Sequence, residues 1–141
     1  CGDRGSPCCP PDSLYFMSRR QRLDLALCGA AGTFYLLNFG LLRETIEGWA
    51  GWFLKCYAND GFAGLAMVAW LDLLLDLGRL PSVRSWKVIV PFLLACGLVW
   101  EYVAPIWKPE AVADPWDLLA YQVGGALYWG IKRHWRNKAT A

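Results

Sequence analysis

Four long apolar stretches occupy most of this chain, and short polar segments separate them. The stretches cover residues 23–42, 61–77, 88–107 and 115–131. A helix needs about 20 apolar residues, within a range of roughly 17–25, to cross the hydrocarbon core of a bilayer. The pattern therefore predicts four membrane-spanning helices, of which the second and fourth draw on flanking residues to complete a span.

A soluble bundle of four buried helices is the alternative fold. Its helices would show polar outer faces at helical spacing, but the stretches 23–42 and 88–107 are apolar all round. A composition of 56% hydrophobic and 18% charged residues also favours a membrane. Tryptophans fall near the predicted span ends, where amphipathic rings lie at headgroup level. These are Trp86, Trp107, Trp116, Trp129 and Trp135.

The charged residues outside the stretches sort into two faces. The basic face holds Arg19, Arg20, Arg22, Arg79, Arg84, Lys87, Lys132, Arg133, Arg136 and Lys138. The other face holds Arg43, Lys55 and Lys108 against Glu44, Glu47, Asp60, Glu101, Glu110, Asp114 and Asp117. Lys and Arg in short loops mark the cytoplasmic side of a membrane. The sequence therefore predicts a multi-pass protein of the bacterial cytoplasmic (inner) membrane with both termini in the cytoplasm.

The segment between the first two stretches shows a helical stripe. Ile46, Trp49, Phe53 and Cys56 recur at spacings of three and four residues. The pattern predicts a short amphipathic helix in the membrane interface, with a plain connecting loop as the alternative. The predicted fold is thus an all-α integral membrane protein, with four transmembrane helices and one interfacial helix in a single domain over residues 17–141.

The first sixteen residues differ from the rest of the chain. They contain Pro, Gly and Cys without periodicity, which predicts an irregular tail. Cys1 raises the idea of an acylated lipoprotein, but the arginines that follow Met17 place this end in the cytoplasm. We expect Met17 to be the natural start. The six cysteines form no C-x-x-C pattern, so the sequence predicts neither a zinc site nor a redox pair.

Carboxylates gather at the predicted acidic edge of the membrane. The placement of an ionisable side chain within a membrane costs free energy, so such a residue usually has a partner or a functional role. Asp117 and Tyr121 share one helical face because they are four residues apart, and Gln122 follows directly. We expect a shallow ligand-binding pocket where the last three spans meet. Its candidate residues are Asp60, Glu101, Asp114, Asp117, Tyr121 and Gln122.

Several interpretations of this pocket stay open. Carboxylates suit a hard cation that bridges to a lipid phosphate, an amine or a sugar bound by hydrogen bonds, or a proton relay. The alternative is that the acidic residues are helix caps. Asp114 precedes Pro115, which is typical of a helix start, and Asp60 is placed to cap the second span. No resident metal or cofactor is predicted.

A second acidic pair lies toward the basic face. Asp72 and Asp76 are one turn apart in the second span. Asp76 is placed to pair with Arg79 at a spacing of three. Asp72 lies deeper, and we expect it to pair with a basic residue of a neighbouring helix or, less simply, to belong to a proton path.

The sequence excludes several classes of function. The only histidine, His134, lies after the last span, so the spans offer no usual haem ligand. The nucleophile, metalloprotease and phosphate-loop motifs are missing, so we expect a protein that is not an enzyme. A net charge of +2 is too small to indicate a nucleic-acid partner.

The second half of the chain resembles the VanZ-like membrane proteins over about residues 57–131. The resemblance rests on the run Asn59–Gly64, on Glu101, and on Asp117 followed by Gly124 and Gly125. Tyr121 stands where the family usually shows Asn, and the early His of the family is missing. The resemblance implies a small helical-bundle membrane protein, and some family members are linked to glycopeptide-antibiotic resistance.

Two functional hypotheses from different classes follow. The first is a non-catalytic accessory or structural subunit of a larger membrane complex, such as a respiratory or photosynthetic one, whose partners are the bilayer and other membrane subunits. The second is an autonomous VanZ-like envelope protein that binds a lipid-linked or glycopeptide ligand at the acidic pocket. A proton carrier that uses Asp72 and Glu101 is a more distant alternative.

Overall fold

A computed structural model describes residues 17–103, 106 and 114–139, and this part of the chain is helical without any β-strand. Four long helices run up and down, and shorter helical pieces join the first two. Within these described residues, two segments are long and apolar enough to cross a membrane, Arg19–Leu42 and Trp86–Val103. They correspond to the first and third of the four predicted spans.

Helix α1 covers Arg19–Leu37. The hydroxyl of Ser18 accepts a hydrogen bond from the backbone N–H of Gln21, and the Gln21 side chain accepts one from the Ser18 N–H, so the two residues form a capping box. The helix then widens into a π-helical turn at Asn38–Leu42 and ends in the short helix α2, Arg43–Thr45. Ser18 therefore fixes the start of the helix that carries the first apolar stretch.

The predicted amphipathic helix is divided in the structure. Its first part belongs to α2, and helix α3, Gly48–Phe53, begins after a break at Ile46 and Glu47. Gly48 has a φ of 76°, a left-handed conformation that glycine adopts without strain. Gly51 lies so close to the carbonyl of Ile46 that a side chain there would collide with it. The two glycines therefore make a tight bend where the stripe predicted a continuous helix.

Helix α4 follows a second π-helical turn, Leu54–Ala58, and covers Asn59–Leu77. A loop leads to α5, Trp86–Leu98, which starts at the Ser85 cap and widens into a third π-helical turn, Val99–Val103. Helix α6 covers Pro115–Ala139. It is longer than the predicted span because it continues past residue 131 into the basic C-terminal segment.

Helices α4 and α6 form the central pair, with α1 against α4 and α5 against α6. Glycines bring the central pair into backbone contact: a side chain at Gly124 would meet the carbonyl of Gly61, and one at Gly64 would meet the backbone of Tyr121. Small residues allow this close approach, which van der Waals packing then stabilises. The core beside it contains Leu65, Val68, Ala69, Val83, Ile89, Leu93 and Tyr128.

Helices α4 and α6 are less apolar than the segments that contain α1 and α5, and they do not meet the same criterion for crossing a membrane. Helix α4 contains Asp60, Asp72 and Asp76, and α6 contains Asp117 and Lys132. Most of these ionisable side chains belong to the polar clusters described below, so they lower the hydropathy of the helices without facing outward. The predicted tail, residues 1–16, and the connector with Trp107, Lys108 and Glu110 lie outside the described residues.

Candidate functional site

Three π-helical turns lie at the same end of the bundle. They close α1, precede α4 and close α5, at Asn38–Leu42, Leu54–Ala58 and Val99–Val103. A π-helical turn holds an extra residue, which widens the helix and is frequent at functional sites. This end also carries the start of α6, so it contains the candidate residues of the predicted acidic pocket.

Tyr121 joins α6 to α4 at this end. Its hydroxyl donates a hydrogen bond to the Asp60 carboxylate over 3.3 Å, and the tyrosine itself is buried. Helix α4 continues from the π-helical turn before it, and Ala58 at its start makes no side-chain cap. The prediction that Asp60 caps this helix is therefore wrong, because its carboxylate points across to α6.

Glu101 and Asp114 meet at the start of α6. The buried carboxylate of Glu101 accepts a hydrogen bond from the Asp114 backbone N–H over 3.1 Å. The Asp114 side chain in turn accepts one from the Trp116 N–H over 2.9 Å. Asp114 therefore caps α6 as the alternative interpretation predicted, while Glu101 ties the third π-helical turn to the same helix end.

Asp117 completes a group of four acidic residues. It lies close enough to Asp60, Glu101 and Asp114 to experience their negative charge. The same charge reaches Tyr57 in the second π-helical turn. The pKa of Tyr57 is raised, first by desolvation and then by the carboxylate of Asp114, with smaller contributions from Cys56 and Asp117. We call Asp60, Glu101, Asp114 and Asp117 the acidic cluster.

Gln122 stands apart from the acidic cluster. Its amide donates a hydrogen bond to the carbonyl of Val90 on α5 over 3.2 Å. Its side-chain oxygen is buried and has no hydrogen-bond partner within the described part of the chain. Gln122 therefore contributes to the contact between α5 and α6, and the structure does not bring it to the carboxylates.

The sequence pattern did not predict a contact between two amide side chains, the buried Asn38 and the half-buried Asn59. The Asn38 side chain donates hydrogen bonds of 2.8 Å to the Leu54 carbonyl and of 2.8 Å to the Asn59 side chain. Asn38 is fully buried between α1 and the start of α4. A polar residue inside the first apolar stretch was the available signal, because such residues are rare at membrane depth unless they have a partner.

An apolar groove of about 680 Å³ runs beside the acidic cluster. It is lined by the α3 segment, the start of α4 and one side of α6, and Tyr57 and Trp116 lie at the end nearest the cluster. Its other lining residues are Trp52, Phe53, Ala58, Gly61, Phe62, Leu65, Leu119, Ala120, Val123 and Leu127. None of the four carboxylates lines the groove, but Tyr57 lines it and lies close enough to Asp114 and Asp117 to experience their charge. We call the groove and the neighbouring acidic cluster together the amphipathic site.

The acidic cluster lacks the geometry of a metal centre. Among the described residues, no three His, Cys, Asp or Glu side chains come close enough together to hold a metal ion. The carboxylate oxygens are instead hydrogen-bond acceptors for Tyr121 and for the start of α6. Their remaining lone pairs suit a ligand that carries hydrogen-bond donors.

A second polar cluster lies at the opposite end of the bundle. The ammonium group of Lys132 on α6 contacts Asp24 of α1 and lies 2.8 Å from the Asp72 carboxylate of α4. Tyr128 places its hydroxyl 2.6 Å from Asp72 and 3.1 Å from Asp24. The structure therefore pairs Asp72 with a basic residue of a neighbouring helix, which was the simpler of the two expectations. We call these four side chains the lysine cluster.

Comparison of the chain with protein-family models, with curated proteins and with solved structures found no match.

Proposed function

We propose that this chain is a non-catalytic integral membrane protein of a bacterial cytoplasmic membrane whose four long helices all cross the bilayer. The exposed apolar surface supports the membrane location: only 11% of the apolar window in Arg19–Leu42 and 22% of that in Trp86–Val103 is buried. Core helices of a soluble protein would be mostly buried. Apart from Asp76, the carboxylates of α4 and α6 belong to the acidic cluster or the lysine cluster, and such pairing within a bundle is how ionisable groups are accommodated in lipid.

The threading that we propose puts the lysine cluster near the cytoplasm and the acidic cluster on the other side. Basic residues follow Lys132 along α6 and occupy the start of α1, whereas Glu44, Glu47 and Asp114 lie at the opposite end. Retention of basic segments on the cytoplasmic side supports this orientation. Both termini are then cytoplasmic.

Within that membrane, we propose that the protein binds a lipid-linked ligand at the amphipathic site. The single observation that carries this proposal is the apolar groove whose lining residue Tyr57 lies close enough to Asp114 and Asp117 to experience their charge. A volume of about 680 Å³ lies within the range of small-ligand pockets. The groove suits a hydrocarbon chain, and the carboxylates suit a head group with hydroxyl, amide or amine donors. A lipid-linked ligand also agrees with the VanZ-like resemblance, which remains part of the proposal.

The experiment uses the full chain in nanodiscs made from the lipids of its own membrane, with native mass spectrometry to detect bound lipid. Val123→Trp adds bulk to the groove wall, whereas Val99→Trp makes the same change at a similarly exposed position outside it. We expect the groove variant to lose a bound lipid-linked species that the control retains. Equal retention by both variants would overturn the proposal.

The head-group contact has its own test. Asp117→Asn removes one charge from the acidic cluster, and Glu44→Gln makes the matching change at an exposed position on the same side. We expect the first variant to retain less of the bound species at unchanged membrane levels. If Asp117→Asn and Glu44→Gln retain the bound species equally, the carboxylates of the acidic cluster do not bind its head group.

A second candidate function, an accessory subunit of a larger membrane complex, is favoured by one face of α1. A side chain built at Gly29 or Gly32 would meet nothing within 4 Å, whereas the glycines between α4 and α6 lie against backbone. Small residues on a membrane helix allow another helix to approach closely. The α1 face therefore suits a helix of another subunit.

Gentle detergent extraction followed by native gels and mass spectrometry tests the subunit proposal. We expect comigration with a large complex, and we expect Gly32→Leu to release the chain while Gly130→Leu does not. Gly130 also has open space around it, so it controls for the added side chain. A lone monomer from wild-type membranes would count against this function.

A further inference from the structure

The lysine cluster contains two carboxylates and one ammonium group in the interior of the bundle. Asp24 and Asp72 are each 1% exposed, Lys132 is 4% exposed and Tyr128 is fully buried. With both carboxyls ionised, these four side chains carry a net charge of minus one. An uncompensated charge away from water is costly, and buried groups take up or release protons to avoid it.

The two carboxylates do not share their hydrogen-bond donors equally. Asp72 receives a backbone N–H from Val83 over 2.7 Å and the Ser82 hydroxyl over 2.9 Å, besides the ammonium group and the tyrosine. Asp24 receives the ammonium of Lys132 at both of its oxygens. Asp72 therefore has enough hydrogen-bond donors to be stable as an ionised carboxylate. Asp24 relies for its donors on the ammonium group of Lys132, which it shares with Asp72.

The hydroxyl group of Tyr128 constrains which of the two carboxyl groups carries a proton. Its hydroxyl lies between the two carboxyls but has a single hydrogen, so it donates to only one of them. The shorter distance, 2.6 Å, is to Asp72, and the distance to Asp24 is 3.1 Å. With its hydrogen on the Asp72 side, the tyrosine oxygen presents a lone pair to Asp24. A hydrogen bond there requires a proton on the Asp24 carboxyl.

We propose that the lysine cluster is a proton-binding site, in which Asp24 holds one proton and donates it as a hydrogen bond to Tyr128. This arrangement makes the cluster neutral: Asp24 is uncharged, and the charge of Asp72 is offset by Lys132, whose ammonium group also keeps its contacts with both oxygens of Asp24. It also gives each carboxyl a hydrogen-bonded partner, along the chain from Asp24 through Tyr128 to Asp72. Proton release leaves the cluster with a net negative charge.

The groups that face Asp24 come from each element packed against it. Helix α4 contributes Asp72, and α6 contributes Tyr128 and Lys132. On α1 itself, Cys28 lies one turn further and directs its thiol to the Ala66 carbonyl over 3.7 Å. The proton site therefore joins three helices, and its loss of a proton opposes the packing of α1 on the central pair. This inference concerns the end of the bundle opposite the ligand site and does not rest on the proposed function.

Infrared spectroscopy of the full chain in nanodiscs tests the site, because a protonated carboxyl has a C=O band that an ionised one lacks. We expect the spectrum at neutral pH to contain such a band that shifts in heavy water and is lost in Asp24→Asn. The control is Asp76→Asn, one turn from Asp72 on α4, which should retain it. A folded Asp24→Asn protein that keeps every protonated-carboxyl band of the wild type would overturn the proposal.

Tyr128→Phe provides an independent test if the asparagine variant does not fold. It removes the acceptor of the proposed Asp24 hydrogen bond without changing the charge of the cluster. We expect the same C=O band to move to higher frequency, as for a carboxyl that has lost its acceptor. An unshifted band would overturn the assignment of that proton to Asp24.

Discussion

Replacement of Lys132 by Met tests how much the lysine cluster stabilises the bundle. Methionine keeps the length of an unbranched side chain and removes the ammonium group that contacts Asp24 and Asp72. Both aspartates are almost fully buried, so water does not replace the lost cation in the folded state. The variant therefore leaves Asp72 without the cation that offsets its charge and Asp24 without the ammonium group at its two oxygens.

The expected magnitude follows from this burial. Removal of one partner from a buried ion pair typically costs about 3–5 kcal/mol. Since about 1.4 kcal/mol corresponds to a factor of ten, we expect the folded-to-unfolded ratio to fall by about a hundredfold or more. Lys138→Met makes the same chemical change at an exposed position of the same helix. Its cost should stay within about 0.5 kcal/mol, as for other surface substitutions.

Reversible unfolding in mixed micelles, followed by far-ultraviolet circular dichroism, measures both free energies. The double variant Asp72→Asn with Lys132→Met should be more stable than Lys132→Met alone, because the carboxylate that loses its cation is then absent. Residues in one ion-pair network are expected to show such coupling. If Lys132→Met costs no more than Lys138→Met, the ammonium group is not a buried partner of the two aspartates and the reasoning fails.

Two further predictions concern packing and threading. Gly124→Ala should destabilise the bundle by about 1–3 kcal/mol, as overpacking does, because the added methyl group meets the α4 backbone. The control Gly130→Ala, which has open space around it, should leave the free energy of unfolding unchanged or raise it. Unfolding in mixed micelles measures both free energies. Single cysteines introduced at Arg84 and Glu110 in a cysteine-free background should react with impermeant reagents from opposite faces of the membrane. Labelling of both from one face would contradict the proposed topology.

The apolar pattern predicted the helices better than their contacts. The stretches 23–42 and 88–107 correspond to segments that are apolar enough to cross a membrane, and the helical fold is confirmed within the described residues. The bend before α3 was not predicted, because periodicity records which residues share a face and not whether the backbone stays helical between them. Gly48 and Gly51 were the local signal.

The acidic cluster was easier to predict than the lysine cluster. Its carboxylates lie near span ends, and Asp114 and Asp117 are close along the chain. Lys132 follows the last predicted span and was therefore assigned to the basic face, although its partner Asp24 lies 108 residues earlier. The spacing of residues within one helix does not determine which face of that helix turns toward another helix. Pairs of residues far apart in sequence, such as Lys132 and Asp24, can therefore be identified only from the packed structure.

The buried residues of α1 and its π-helical turn are Asp24, Ala31 and Asn38, each seven positions after the last. A seven-residue repeat makes a narrow seam along a helix. Here the seam has a polar residue at each end, about 21 Å apart at 1.5 Å per residue, and a small residue in the middle. A slide of α1 by one turn would unpair Asp24 and Asn38 together. The two polar pairs therefore select one register of α1 against α4 and α6, the one in which Asp24 and Asn38 both keep their partners.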